Sequence, residues 1–156
     1  MDEDKIIIRN YRKSDYKETL EILKELSELY DMGFNEDKWR ESSGLRQFKP
    51  NLKRMTLVAE VEGKVVALGV LEGKKTSLGE YIGYLESWAT KKEYLGKGIG
   101  KILADRAMKL LRSWGVDRIR INFAYDGDKK VIDVICKGGG FKPIIIVLEK
   151  TFDKKN

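Results

Sequence analysis

One stretch of this chain, Leu85 to Leu111, constrains its fold more than any other. It reads L-E-S-W-A-T-K-K-E-Y-L-G-K-G-I-G-K-I-L-A-D-R-A-M-K-L-L. The beginning has the character of a strand and the end that of a helix. Between them stand Gly96, Gly98 and Gly100, with Lys97 and Lys101 interleaved. Glycine lets a backbone bend tightly and come close to a ligand. The first turn of a helix leaves N–H groups with no partner inside the helix. Those donors, with the helix dipole, make a site for a phosphate or pyrophosphate. Two lysines add charge of the right sign.

Three phosphate-binding patterns compete for this turn. A nucleotide P-loop requires G-x-x-x-x-G-K-[ST], but its first glycine is Leu95 here and the residue after Lys101 is Ile102. A dinucleotide fingerprint requires G-x-G-x-x-G in the first strand–helix turn, with an acidic residue roughly twenty positions on. The spacing here is G-x-G-x-G, and the turn lies past mid-chain. The third pattern is a diphosphate held on a single strand–loop–helix unit. Its plain rival is a glycine-rich turn that binds nothing, since short glycine motifs recur by chance.

The segment Y-L-G-K-G-I-G-K-I-L resembles the acetyl-coenzyme A signature of the GNAT superfamily of N-acetyltransferases, [QR]-x-x-G-x-[GA] between a strand and a helix. The resemblance extends over most of the chain. It takes in the opening I-I-I-R-N-Y-R-K-S-D-Y, the pair Gly140-Phe141 after a late helix, and the closing I-I-I-V-L-E-K. One departure is that Leu95 stands where the family has Arg or Gln. Most donors at such a site are main-chain amides, so the resemblance implies binding with one charged contact fewer.

A chain of 156 residues fits one domain, 1–156, with a proper core. With 42% hydrophobic and 36% charged residues it has a soluble balance. No apolar run approaches the ~18 residues that a membrane span needs. The opening M-D-E-D-K is acidic, with no apolar leader, and a single cysteine cannot form an internal disulfide; a cytoplasmic protein is the expectation. The net charge of +6 invites a nucleic-acid reading. Against it, lysines and glutamates alternate along the chain, and like charges cluster only in pairs such as Lys129-Lys130. Nucleic acid therefore ranks well below a small-molecule ligand. With no histidine and one cysteine, no transition-metal site is expected. The heavy Lys and Glu usage, with one Gln and one Cys, is of a thermophilic kind.

In order, the chain reads as follows. Lys5–Arg9, with three isoleucines, suits a short buried strand. Asp15 with Glu18 forms a capping-box pattern ahead of a helix whose apolar positions are Tyr16, Leu20, Leu23, Leu26 and Tyr30. A short second helix and a loop follow, up to Pro50. Met55–Glu62 and Val65–Leu71 form a hairpin about Gly63-Lys64. Tyr81–Thr90 is a third antiparallel strand, after a charged turn from Gly73 to Gly79. The helix behind the glycines carries Ile99, Leu103, Ala107, Leu110 and Trp114 on one face and ends at Gly115. Asp117–Ala124 is a strand parallel to its predecessor by a right-handed crossover. Lys129–Lys137 is a short helix broken by Gly138, Gly139 and Gly140. Ile144–Lys150 reads as a last strand buried on both faces. The expected architecture is α+β and GNAT-like: a mixed, mostly antiparallel twisted sheet of six to seven strands with helices on both faces.

Acetyl transfer to an amine needs a held thioester, a donor to its carbonyl oxygen and a base for the amine proton; an acid for the leaving thiolate completes the set. Without histidine there is no Ser-His-Asp or Cys-His set, so direct attack in a ternary complex is favoured over a covalent acyl-enzyme. By the resemblance, the acetyl oxygen and pantetheine meet main-chain amides at Trp88, Ala89 and Thr90. The pyrophosphate meets the amides of Leu95, Gly96, Lys97, Gly98, Ile99, Gly100 and Lys101, with the two lysine side chains as added contacts or as a solvated face. L-E-S-W-A-T is similar to the L-E-D-x-x-V strand of GNAT polyamine acetyltransferases, which makes Glu86 the candidate general base. Burial beside an apolar cleft would raise its pKa; the plain alternative is a polar residue on an open strand face.

The family often has Tyr five residues before the Phe of its Gly-Phe pair, and that position is Cys136. A thiol with pKa near ~8.5 can protonate a leaving thiolate, although a buried cysteine is more often a small core residue. Tyr125 is the alternative acid. Lys129 stands near the family asparagine that contacts pantetheine. The resemblance also puts Trp39 and Phe48 on the acceptor side as substrate-wall candidates, with core packing as the plainer role. Glu36, Asp37 and Glu41 are candidates for an acidic rim.

The reading is an acetyl-CoA-dependent N-acetyltransferase acting on a primary amine, whether polyamine, amino acid, aminoglycoside or protein. Its rival is a GNAT-fold module that binds acyl-CoA without catalysis, as a sensor or partner domain. The resemblance further implies a homodimer, in which the exposed final strand pairs across a two-fold axis.

Overall fold

Four segments rich in Val, Ile and Leu, buried on both faces in the central strands, build an antiparallel sheet, and a helical crossover adds one parallel strand. The computed structural model describes residues 5–29, 33–45, 53–122, 129–150 and 152. They fall into two units, 1–122 and 123–156. The first unit holds β1 (Ile6–Asn10), α1 (Tyr16–Leu29), α2 (Glu36–Leu45), β2 (Arg54–Val61), β3 (Lys64–Lys75), β4 (Tyr81–Thr90), α3 (Ile99–Ser113) and β5 (Arg118–Ile121). The sheet order is β1-β2-β3-β4-β5, antiparallel except for the parallel β4–β5 pair. The crossover through α3 is what allows that parallel pairing.

Strand parity sorts the core into two layers. Leu57, Ala59, Val61, Leu71 and Leu85 pack with Ile99, Leu103, Ala107 and Leu111 of α3. Val58, Val65, Leu68 and Ala89 pack with Ile22 and Leu23 of α1, Tyr11 and Trp39 of α2. Each fully buried aliphatic side chain contributes about 1.5–3 kcal/mol, so the sheet is held from both faces. The β2–β3 turn takes positive φ at Glu62 and Gly63, the geometry that matches strand twist in a two-residue hairpin. Gly115 ends α3 with φ +77°.

Several expectations change. β1 is an edge strand, and its middle isoleucine, Ile7, is exposed. The buried residue in the last turn of α3 is Leu111, with Leu110 and Trp114 only partly covered. Asp15 caps the Arg12 amide rather than pairing with Glu18, and two hydrogen bonds from Arg9 hold it. β5 is shorter than Asp117–Ala124, and Phe123 and Ala124 lie outside the described residues.

The largest correction is the strand count. The sheet has five strands, not six to seven. In the second unit α4 (Lys129–Gly139) is followed by residues 140–150, which form no strand. Ile144, Ile145, Ile146, Val147 and Leu148 are exposed. A β-branched run favours an extended backbone, but a strand also needs a partner for its main-chain groups, and composition does not supply one.

Candidate functional site

The site begins with an irregularity in β4. Leu68 faces Ala89 while Val70 faces Glu86, so Ser87 and Trp88 together oppose Gly69. This is a β-bulge. Ser87 takes φ +50°, a region that non-glycine residues rarely enter. The cause lies across the sheet. The Trp88 indole sits against Gly69, where a Cβ would clash with two of its ring carbons. The bulge turns Trp88 toward the α3 layer and Ala89 into the α1 layer.

Beside the bulge, β4 loses its outer neighbour. β5 pairs with β4 only from Ile82 to Leu85. From Glu86 to Thr90 the outer edge of β4 has no partner strand among the described residues. Its outward main-chain groups, which include alternate residues of Glu86–Thr90, are open to a ligand.

The glycine turn continues from that edge. Lys91 donates to the Val66 carbonyl, a 3-10 turn covers Lys92–Tyr94, and α3 starts at Ile99 with Gly98 as its cap. Gly96 and Gly98 take φ of +73° and +79°, so both positions need glycine. Gly100 has an ordinary helical φ, and a Cβ there would meet nothing within 4 Å. Of the seven amides expected to face the pyrophosphate, two are engaged within the protein: Leu95 donates to Lys92 and Lys101 to Gly98. The amides of Gly96, Lys97, Gly98, Ile99 and Gly100 have no partner among the described residues. No acidic side chain sits in the first turn of α3 to occupy them. Lys97 lies over the Tyr94 ring at 4.7 Å, and Lys101 pairs with Asp105 at 3.1 Å. Leu95 is 58% exposed.

Glu86 projects on the α1 side of the sheet, on the same face as Tyr84 and next to Val70. Its side chain is one-third exposed and faces cations rather than an apolar wall. Arg54 Nη2 stands 3.9 Å from it and Lys74 Nζ 3.8 Å. Both cations are held more tightly by Glu72, at 2.8 and 3.2 Å. Lys74 also lies over the Tyr84 ring at 5.2 Å. Arg120 is the register partner of Tyr84 on β5, while Ile119 and Ile121 pack into the α3 layer. Arg120 therefore shares the face of Glu86. Its Nε is buried with no hydrogen-bond partner among the described residues, as is that of Arg54. The sequence reading missed Arg54, Glu72, Lys74 and Arg120. Their signal was charge at alternate positions, E-x-K in β3 and R-x-R in β5, within strands otherwise apolar.

Other candidates separate. Trp39 is buried in the α1 layer, so it is a core residue and not a substrate wall. Glu36 is neutralised by Lys24 at 3.1 Å and Arg40 at 3.4 Å, and the Lys24 hydrogen bond, chiefly, holds its carboxyl below the ordinary range. Asp37 lies 4.0 Å from the same arginine. The expected acidic rim is thus largely paired. Lys129 and Cys136 lie on α4 in the second unit, the cysteine as a free thiol. Tyr125 and Phe48 lie outside the described residues. Among the described residues no His, Cys, Asp or Glu cluster suits a metal ion, and no helix is long and apolar enough to cross a membrane.

A family model for the acetyltransferase (GNAT) family matches residues 19–138, about three-quarters of the chain. This chain belongs to the GNAT acetyltransferase family. Solved structures share its fold. A glucosamine-6-phosphate N-acetyltransferase from Arabidopsis thaliana is 20% identical, with TM-score 0.75 over 95% of this chain and 99% of that one. An aminoglycoside acetyltransferase from an uncultured soil metagenomic sample is 13% identical, with TM-score 0.76 over 97% and 99%. A GNAT family acetyltransferase from Staphylococcus aureus is 17% identical, with TM-score 0.69 over 95% and 99%. No curated protein matches the chain. Within this GNAT chain, the bulge, the open β4 edge and the glycine turn all lie in the first unit, 1–122.

Proposed function

We propose that this GNAT protein is an acetyl-CoA-dependent N-acetyltransferase, working as one domain over residues 1–156 and acting on a primary amine in a ternary complex. The observation that carries the reading is the run of five amides from Gly96 to Gly100 with no partner among the described residues. It lies at the N-terminus of a 15-residue helix and is continuous with the open edge of β4. A diphosphate satisfies those donors and complements the helix dipole. Gly100 adds a second support. Among the described residues neither its φ nor its surroundings require glycine, and a bare Cα leaves room for a ligand beside the amides.

In this reading the turn anchors the diphosphate, and the β4 edge at Trp88, Ala89 and Thr90 guides the acyl arm that acetyl-CoA supplies. Glu86 stands at the bulge, on the face opposite Trp88, and takes the proton of the acceptor amine. Leu95 leaves the turn without a side-chain charge at that point. Lys97 and Lys101 are already engaged by Tyr94 and Asp105, so the amides do most of the holding. The single cysteine supports a cytoplasmic setting; the homodimer stays part of the proposal without the final strand as its pairing element, since residues 140–150 form no strand.

Calorimetry with acetyl-CoA, followed by release of free thiol with a panel of amines, tests the reading. Micromolar binding and acceptor-dependent thiol release are expected. No binding removes the acetyl-CoA site; binding without release on any amine leaves a non-catalytic acyl-CoA module instead.

A further inference from the structure

On the face of the sheet that carries Glu86, Arg54 and Lys74 stand beside Glu72 and Glu86, and Arg120 shares that face as the register partner of Tyr84. Glu72 is the hub that fixes Arg54 and Lys74, both within ion-pair contact at 3.2 Å or less. Glu86 is held only at 3.8 and 3.9 Å, beyond hydrogen-bond distance. It is the carboxylate that an incoming ammonium can claim without dismantling the hub. Doing so leaves three cations on this face, with Glu72 as the carboxylate that pairs with two of them. The third, Arg120, has no partner among the described residues and a buried Nε. A partly buried guanidinium with an unsatisfied N–H is complemented by an anion, and its planar fork suits a carboxylate or phosphate.

We infer that the acceptor is a small zwitterionic amine, whose ammonium meets Glu86 and whose own carboxylate or phosphate meets Arg120 together with Lys74. This rests on the acetyltransferase reading for the role of Glu86, but its recognition chemistry does not depend on turnover. It also disfavours a polycation. A polyamine would meet Arg54, Lys74 and Arg120 at the site and find Glu36 and Asp37 already paired.

The test measures binding to the full chain, with coenzyme A present, for matched pairs: glucosamine 6-phosphate against glucosamine, and phenylalanine against phenylalaninamide. Spermidine is the polycation control. At least a tenfold tighter binding of one anionic member over its partner is expected, with spermidine weakest. Arg120→Gln should bring that ratio close to one, and Arg120→Lys, which keeps the charge, should retain most of it. A phosphate preference identifies one anion source and a carboxylate preference the other; either supports the inference. Equal binding within both pairs, preference for spermidine, no binding of any probe, or a ratio unmoved by Arg120→Gln overturns it. Thiol release is then followed with the same compounds. Anion-selective binding without release keeps this inference and removes the catalytic reading.

Discussion

Glu86 and Asp15 are both carboxylates on the α1 side of one sheet, and their surroundings give them different work. Asp15 is 4% exposed, bound through both oxygens by Arg9 and through one by the Arg12 amide. Burial by itself would raise its pKa, but the hydrogen bonds from Arg9 and Arg12 outweigh that and hold it below the ordinary 3.8. A depressed folded value means stability that is present above pH 3.8 and lost as pH falls through the lower folded value. Asp15→Asn is expected to cost about 2–3 kcal/mol at pH 7, the range for hydrogen bonds to charged groups. It should also flatten the acid limb of the stability curve; urea titrations at pH 7 and pH 3 measure both. Glu86 has no such clamp. Its contacts are long, it is partly open to solvent, and it sits beside the bulge. Glu86→Gln should leave stability nearly unchanged and lower kcat by about 10²–10⁴-fold, as for loss of a general base. Full activity at every pH removes Glu86 from the mechanism.

At the scale of elements, the glycine turn and the bulge make opposite demands on their glycines. Gly69 is needed by the protein, because Trp88 occupies the space of a side chain. Gly69→Ala should cost about 1–3 kcal/mol through overpacking and should disturb the bulge, lowering both melting temperature and activity. Gly100 lies in open space at ordinary φ. Gly100→Val should keep stability within about 0.5 kcal/mol, since Val is no worse than Gly inside a helix. It should still weaken acetyl-CoA binding at least tenfold by crowding the amides; undiminished binding there would show that the turn holds no ligand. These elements also mark what the sequence could tell. The hairpin, expected about Gly63-Lys64 and found one residue earlier at Glu62-Gly63, the strand Tyr81–Thr90 and the strand–glycine–helix unit were legible, because each is encoded by adjacent residues with turn chemistry or a clear period. The bulge was not legible. It depends on which β3 residue meets Trp88, and pairing register is non-local. The ion cluster was hidden for the same reason, since Arg54, Glu72, Glu86 and Arg120 come from four strands. Ile144–Lys150 misled because β-branched composition was read as a strand without a partner to pair with.

At the scale of the whole molecule, the question is what a net charge of +6 means. Charge of this size on one face makes a nucleic-acid surface; charge spread in pairs does not. Here the lysines and arginines are repeatedly matched: Lys24 and Arg40 with Glu36, Lys91 with Glu21, Lys101 with Asp105, Arg118 with Glu80. Such exposed pairs add little stability, typically about 0–1 kcal/mol each, but they break up any continuous positive field. The diphosphate donors at the glycine turn, by contrast, are uncharged amides. The two kinds of partner then differ in how they respond to salt. A duplex contacted through six phosphates loses roughly 10³-fold or more in affinity between about 50 and 200 mM salt, because each contact releases condensed counterions. A diphosphate gripped by main-chain amides releases no such atmosphere. Acetyl-CoA affinity, measured by calorimetry over that salt range, should fall only a few-fold, and duplex DNA should show no binding at the upper end. Retained DNA binding at about 200 mM, or a salt slope for acetyl-CoA as steep as that of a duplex binder, would mean that the charge is gathered on a surface for nucleic acid.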